Sequence, residues 1–328
     1  MTSTRRHFLA HLGAAAVALG GLSPAVHAQA AWPQRAVRVV SPYGAGGSND
    51  ISARIICEEL GKRLHQQFFV ENKPGAGTRL ANEFVARAVP DGYTLLYAAA
   101  AFATAEPMYG KLSYDTGRDF QPVTLAVVAP IFLVVNADSP IKTVADLIRY
   151  GKSKPEGLTF ASPGSGSGPH LTTELFFKEA GVKGLNVHFR GDATAYTELL
   201  AGRVDATLTA ISTGLPHIQS GKLRVIAVAS EERSPVYPKV ATFREQGHPN
   251  IVGYGWFGFI APNGTPTTVV DRLSSEVNSI LKDPGTRDRL FALGAQPQGG
   301  SPAEFAAFIV RETRKWSDVI RTAGVRAD

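Results

Sequence analysis

Short runs of β-branched and aromatic residues alternate with amphipathic segments along the chain from residue 36 onward. The first run, residues 36–40, ends before a proline, and beyond Asp50 apolar residues recur at the spacing of a helix with one buried face. That face consists of Ile51, Ile55, Leu60 and Leu64. Strands that alternate with helices predict an α/β fold with largely parallel sheets.

The alternation continues toward the C-terminus. Apolar runs predict further strands at residues 68–70, 93–98, 158–161, 186–189, 206–211 and 223–229. Helical spacing, capping-box pairs and an N-terminal proline predict helices that begin near residues 80, 143, 171, 265 and 301.

Two longer extended segments divide this pattern. Residues 123–135 form an apolar run interrupted by Pro130, and residues 252–261 form a second run. Each is expected to cross between two α/β lobes, which predicts one lobe from residues 31–130 and 255–328 and another from residues 131–254. A cleft between two lobes is a common place for a small-molecule site.

The first 30 residues have the composition of an export signal. Arg5 and Arg6 precede a small-residue apolar stretch, and alanines follow where a signal peptidase cuts, so cleavage is expected near Ala28 or Ala30. The arginine pair fits a twin-arginine signal, and an ordinary secretory leader stays an alternative. Either route predicts a periplasmic protein.

Composition narrows the possible partners. Removing Arg5 and Arg6 lowers the formal net charge from +6 to +4, and the remaining charges are scattered, so we expect no nucleic-acid partner. The mature chain has no second apolar run long enough to span a bilayer, which predicts no membrane insertion. The single cysteine, Cys57, fits a core position, and the mature histidines lack metal-ligand spacing. We expect the protein to bind neither a metal nor a cofactor and to be a monomer.

Two glycine-rich turns, residues 42–50 and 162–170, carry the candidate chemistry. Each lies between a predicted strand and a predicted helix. The first N–H groups of a helix lack internal partners and carry partial positive charge, and glycine lets an anion approach them closely. Two such turns facing one cleft predict a site for an organic carboxylate.

Two enzyme classes share parts of these motifs. The stretch Gly44–Asn49 approaches a dinucleotide fingerprint, and Glu71 follows at the next strand, but Asn49 stands at the third glycine position. The second turn superficially resembles a nucleophile elbow but has Gly166 where that motif needs serine. An exported dinucleotide-dependent oxidoreductase therefore stays an alternative, while an esterase is disfavoured.

An ordered set of motifs covers essentially the whole mature chain. It comprises residues 42–47, 71–77, 90–96, 166–171, 199–205, 215–218, 220–224 and 261–266. In this order they resemble the solute receptors of tripartite tricarboxylate transporters, the Bug or TctC family. The resemblance implies a two-lobed Venus-flytrap fold that captures a di- or tricarboxylate or an aromatic acid and delivers it to membrane transporter subunits. It implies no catalysis, and a sensor for a signalling kinase is a further alternative.

The resemblance also implies a binding site at the two turns and at the loop of residues 188–193. The predicted ligand-binding residues are Tyr43, Gly46, Gly47, Ser48, Asn49, Asp50, Phe102, Ser165, Gly166, Ser167, His170, Arg190, Asp192 and Ala193. Asp192 departs from the family, which often has a small neutral residue there. Arg190 is expected to pair either with a ligand carboxylate or with Asp192, and Phe102 either lines the cleft or belongs to the core.

Overall fold

In the first half of the fold, βα units build one mixed sheet. The computed structural model describes residues 32–325, so the predicted export signal lies outside the described residues. The elements in chain order are β1 (Val37–Ser41), α1 (Ser48–Leu64), β2 (Phe68–Asn72), α2 (Arg79–Ala86), β3 (Thr94–Ala99), α3 (Ala100–Tyr109) and β4 (Phe120–Asn136). β1 pairs in parallel with both β2 and β3, as the alternating pattern predicts.

The second half repeats this arrangement. Its elements are α4 (Val144–Ser153), β5 (Leu158–Ser162), α5 (Gly168–Ala180), β6 (Gly184–His188), α6 (Asp192–Leu200), β7 (Ala206–Ala210), α7 (Leu215–Gln219) and β8 (Leu223–Val228). β5 lies between β6 and β7 and is parallel to both.

The chain then returns to the first sheet. The last elements are β9 (Tyr254–Pro262), α8 (Thr267–Lys282), α9 (Pro284–Ala292), β10 (Gln296–Pro297) and α10 (Pro302–Ala323). β9 is antiparallel to both β3 and β4, and β10 pairs with β4.

Strand β4 connects the two halves. Residues Phe120–Pro130 pair with β9, whereas Ile131–Val135 pair with β7. The partner changes immediately after Pro130, the proline that interrupts the apolar run in the sequence. The lobe limits at residues 130/131 and 254/255 stay a prediction, but this change of partner lies at the first of them.

Separate apolar clusters stabilise the two halves. Trp256 packs edge-on against Phe305 and Phe308 of α10 beneath the first sheet. Phe160 packs with Phe176 and Phe177 of α5 beneath the second. A smaller cluster joins α3, α5 and α10 through Met108, Leu171, Trp316 and Ile320. Helices α5 and α10, which belong to different half-sheets, therefore share an apolar contact.

Helix α3 was not predicted. It begins directly after β3, seven of its ten residues are buried, and Glu106 is its only charged residue. A helix that is apolar on every face lacks the periodicity by which amphipathic helices are recognised. Its one proline, Pro107, lies in the last turn.

The described residues also show how long and apolar the helices are and where potential metal ligands lie. None of the helices between residues 32 and 325 is both long and apolar enough to cross a bilayer. In the same range no cluster of three potential metal ligands forms. Cys57 is buried in α1, and burial raises the pKa of its thiol to about 12, which keeps it protonated.

We predict that Ser301→Ala destabilises the protein by about 1 kcal/mol, since it removes the cap of α10. The Ser301 hydroxyl accepts a hydrogen bond from the Glu304 N–H, and Glu304 reciprocates at the Ser301 N–H. Urea unfolding measures the change, and Ser301→Asp, which keeps an acceptor, should retain most of the stability. An unchanged midpoint in Ser301→Ala would show that the cap is dispensable.

Candidate functional site

Three loops converge where parallel strands end. They connect β1 to α1, β5 to α5 and β6 to α6, so helices α1, α5 and α6 all begin at this edge. The carboxyl ends of parallel strands are a common place for ligands because the following helix N-termini present unpaired N–H groups. Topology thus brings together the two glycine turns and the 188–193 loop that the sequence singled out.

A buried contact joins the first turn to the third loop. The Ser48 N–H, the first of α1, donates to both carboxylate oxygens of Asp192, at 3.1 and 3.2 Å. The Ser48 hydroxyl donates to the same carboxylate and also contacts the hydroxyl of Ser212. Asp192 is only 6% exposed. Its carboxylate therefore occupies the start of α1, where an anion is expected.

Glycine permits this close approach. A Cβ on Gly47 would lie 2.5 Å from the Asp192 Oδ1, so a side chain there would displace the Asp192 carboxylate. Gly46 adopts a φ of +80°, a conformation that L residues rarely take. Beside them, the Gly44 N–H donates to the Arg190 carbonyl at 2.9 Å. The first turn is thus held against residues 190–192 by backbone as well as side-chain contacts.

Asn49 and Asp50 stabilise the turn itself. The Asn49 side chain accepts from the Ser41 hydroxyl and donates to the Tyr97 carbonyl. Asp50 accepts from the Gly46 N–H at 2.9 Å and pairs with Arg54. Burial acts to raise the pKa of Asp50, but these hydrogen bonds outweigh it and lower that pKa. Asp50 is therefore engaged inside the turn rather than presented to a ligand.

The second turn is closed by a serine cap and a histidine. Ser167 caps α5 by accepting from the His170 N–H at 3.2 Å. The His170 Nδ1 accepts from the Gly166 N–H at 2.9 Å, and the Gly166 carbonyl accepts from the Thr104 hydroxyl of α3. Because the Ser167 hydroxyl contacts the His170 backbone and not its ring, these two residues do not form a nucleophile–base pair.

Burial shifts the pKa values of two side chains of the site in the direction that keeps each side chain uncharged. It lowers the pKa of His170 to about 3, with a smaller contribution from His188, so the imidazole is uncharged at neutral pH. Burial, and then the nearby Asp192, raises the pKa of Tyr43. The Tyr43 phenol therefore stays protonated and keeps a hydrogen-bond donor in the cleft.

A cavity, here called the inner cavity, lies between the loops. It leaves about 40 Å³ for water-sized molecules, so it is narrow in this structure. Its lining consists of Tyr43, Ser48, Asn49, Ala99, Ala100, Ala129, Ile131, Pro163, Ser167, Gly168, Pro169, Asp192, Thr209, Ala210, Gly255, Trp256 and Phe257. Apolar side chains predominate in this set, and it contains neither lysine nor arginine.

Apart from Phe102, the predicted site residues fall into three groups. Tyr43, Ser48, Asn49, Ser167 and Asp192 line the inner cavity. Ser165 and Arg190 line a second pocket that shares Tyr43 and Pro163 with the first, and the Arg190 side chain is exposed. The remaining turn residues, which are Gly46, Gly47, Asp50, Gly166, His170 and Ala193, lie in the loops and helix starts without lining the inner cavity.

Phe102 lies in the core, which corrects its place in the predicted lining. It is 2% exposed on α3 and packs edge-on against Phe120 at 5.0 Å between ring centroids. The chain turns into α3 at Ala100, so Phe102 lies on a mostly buried helix, and of the two places that the sequence allows it takes the core. Ala99 and Ala100, at that junction, line the inner cavity instead.

Sequence reasoning missed the floor of the inner cavity. Ala129 and Ile131 come from β4, and Gly255, Trp256 and Phe257 come from β9. The two extended segments in the sequence could have indicated these residues, because segments that cross between two lobes must pass behind a cleft between them. These residues give the cavity its apolar character.

The chain matches the sequence model of the tripartite tricarboxylate transporter family receptors over residues 52–325. A UPF0065 protein in the tcbD-tcbE intergenic region of Pseudomonas sp. (strain P51) is 34% identical over 327 residues, covering 98% of this chain and 97% of that one. Protein BugT of Bordetella pertussis is 32% identical over 312 residues, with coverage of 94% and 95%.

Solved structures show the same fold. Rpa4515 of R. palustris, determined with adipate, superposes with a TM-score of 0.87 at 33% identity, over 90% of this chain and 99% of that one. The periplasmic binding protein BugD gives 0.86 at 32%, covering 90% and 100%. MatC of Rhodopseudomonas palustris, with bound malate, gives 0.83 at 34%, covering 88% and 99%. The α/β fold is therefore that of two-lobed periplasmic binding proteins.

We predict that His170→Asn makes the protein less sensitive to acid. With a folded pKa near 3 and an unfolded value near 6.5, the unfolded chain binds one more proton over this interval, so stability falls as the pH drops through it. Asparagine can still accept from the Gly166 N–H but does not titrate.

Urea unfolding at pH 7, 5.5 and 4.5 tests this, since the pH slope of the unfolding free energy should decrease by about one proton in the variant. His65→Asn, at an exposed position, serves as the control. Parallel pH profiles of wild type and His170→Asn would contradict the assignment of a buried neutral imidazole.

Proposed function

Because the chain belongs to the receptor family of tripartite tricarboxylate transporters, we propose that it captures a small organic carboxylate in the periplasm and delivers it to transporter subunits in the membrane. The observation that carries this proposal is the inner cavity, which lies where α1, α5 and α6 begin. Helix N-termini favour anions, and the apolar walls suit a hydrocarbon body.

Two relatives support the ligand class. Rpa4515 was solved with adipate and MatC with malate, and both share the fold of this chain at 33% and 34% identity. Both ligands are small organic acids.

Capture is proposed to work by closure of two lobes, residues 31–130 with 255–328 and residues 131–254. The inner cavity has Ser48 and Asn49 on one side and Ser167 and Asp192 on the other. A ligand that contacts both sides favours the closed state by the difference between its affinities for the closed and open states.

The proposal includes export and excludes catalysis. The first 30 residues would direct export by the twin-arginine or the general secretory route, with cleavage near Ala28 or Ala30 leaving a monomeric periplasmic receptor. The serine and the histidine of the second turn are both engaged in local capping, which supports binding without chemistry.

We expect carboxylates, and not nicotinamide cofactors, to stabilise the purified mature protein against heat. A ligand at about 100 times its dissociation constant adds roughly 2.7 kcal/mol, which raises the melting temperature by several degrees. Thermal-shift measurements with mono-, di-, tri- and aromatic carboxylates test this. Stabilisation by cofactors alone would overturn the receptor proposal.

Gly47→Ala should weaken binding of the acid identified in that panel by about tenfold or more, because the added Cβ would press on Asp192 when the loops meet. The φ of Gly47, −83°, is suitable for alanine, so the turn itself is not strained. Calorimetric titration measures the affinity. Gly117→Ala, with its nearest contact at 3.5 Å, is the matched control, and equal affinities in both variants would refute the close-approach argument.

A further inference from the structure

The Asp192 carboxylate occupies the place that the proposed function gives to a ligand anion. Both of its oxygens accept from the first N–H of α1, and the Ser48 hydroxyl donates to it as well. Its own helix, α6, begins at Asp192, so a second helix N-terminus lies beside the same charge. The protein thus supplies its own carboxylate to the anion site of α1.

This charge has no cationic partner in the cavity. The hydrogen-bond donors to Asp192 are the backbone N–H and the hydroxyl of Ser48. Arg190, two residues away, is exposed and meets the first turn through its carbonyl. A second carboxylate beside Asp192 would therefore face a like charge that no lysine or arginine of the lining neutralises, and like charges at short range are strongly unfavourable in a buried site.

We propose that Asp192 stands in for one carboxylate of the ligand, so that this receptor selects monocarboxylates with an apolar body and discriminates against dicarboxylates. The inference rests on the proposed function and narrows it. It assigns Asp192 as the specificity-determining residue of the cavity.

Other donors remain for the single carboxylate of the ligand. Trp256 lines the inner cavity and is fully buried, and its Nε1 has no hydrogen-bond partner among the described residues. The first N–H of α5, at Gly168, lies in the same lining and has no acceptor within its helix. Because the Trp256 ring packs against Phe305 and Phe308 of α10, the Gly168 N–H is the donor that we assign to the ligand carboxylate.

The apolar body of the ligand has its own surface. Ala99, Ala129, Ile131, Ala210 and Phe257 line the inner cavity and bring no charged group. An alkyl chain or aromatic ring placed against them loses water contact at no polar cost. The terminal carboxylate of a dicarboxylate would instead have to be desolvated among these side chains or placed against Asp192.

The experiment compares acids of equal length that differ by one carboxylate. Isothermal titration calorimetry with hexanoate against adipate, butyrate against succinate and benzoate against phthalate measures the preference of the wild-type protein. We expect at least one monocarboxylate to bind about tenfold or more tightly than its dicarboxylate partner. Asp192→Ser should reverse or abolish that preference, because it vacates the start of α1 and removes the like charge.

Two further variants make the result specific. Asp192→Asn keeps the side-chain size but removes the charge, and should also gain dicarboxylate affinity. Asp318→Ser removes a charge from an exposed ion pair on α10 and should leave the wild-type preference unchanged. The wild-type comparison decides the matter even if neither Asp192 variant folds.

The outcomes separate the two proposals. Wild-type protein that binds dicarboxylates as tightly as their monocarboxylate partners would overturn the role of Asp192 while leaving the carboxylate receptor intact. Gain of dicarboxylate affinity in the Asp318 control as well would overturn it too, because the effect would be one of net charge. Absence of binding to every carboxylate in the thermal panel would instead overturn the proposed function.

Discussion

Strand β4 must satisfy its backbone hydrogen bonds in two half-sheets at once, and the rest of the structure depends on this. Its 17 residues pair with β9 as far as Pro130 and with β7 and β8 beyond it. A buried strand cannot leave these groups unpaired without a large cost, so the two half-sheets are fixed around a common segment. The space in front of that segment becomes the inner cavity, with Ala129 and Ile131 in its wall.

The sequence predicted the α/β class and the family correctly, since the motifs that carry the resemblance are local. The two glycine turns likewise lie between a strand and a helix, as their composition indicates. The family model and the solved relatives confirm the membership. What local pattern could not supply was α3, because a helix buried on all sides shows no polar face.

The detailed site was less predictable, because contacts distant in sequence decide it. Asp50 and Asp192 are both acidic residues near a helix start, yet one is neutralised by Arg54 and the other meets Ser48, 144 residues away. Phe102 lies in the core on α3, whereas Phe257 lies within β9 and lines the inner cavity. No spacing rule distinguishes these cases, since each depends on how the half-sheets are joined.

In the proposed receptor, the apolar cluster of Met108, Leu171, Trp316 and Ile320 would influence how the lobes open. Hydrophobic contacts are non-directional, so α5 can roll over α10 without losing them, whereas the hydrogen bonds between Ser48 and Asp192 break with a small displacement. The apolar cluster would therefore stay intact as the lobes open, whereas the Ser48–Asp192 contact would have to break. In the proposed receptor, opening would have to break the polar contacts that join the first turn to residues 190–212, and these contacts would set how long a captured solute stays enclosed.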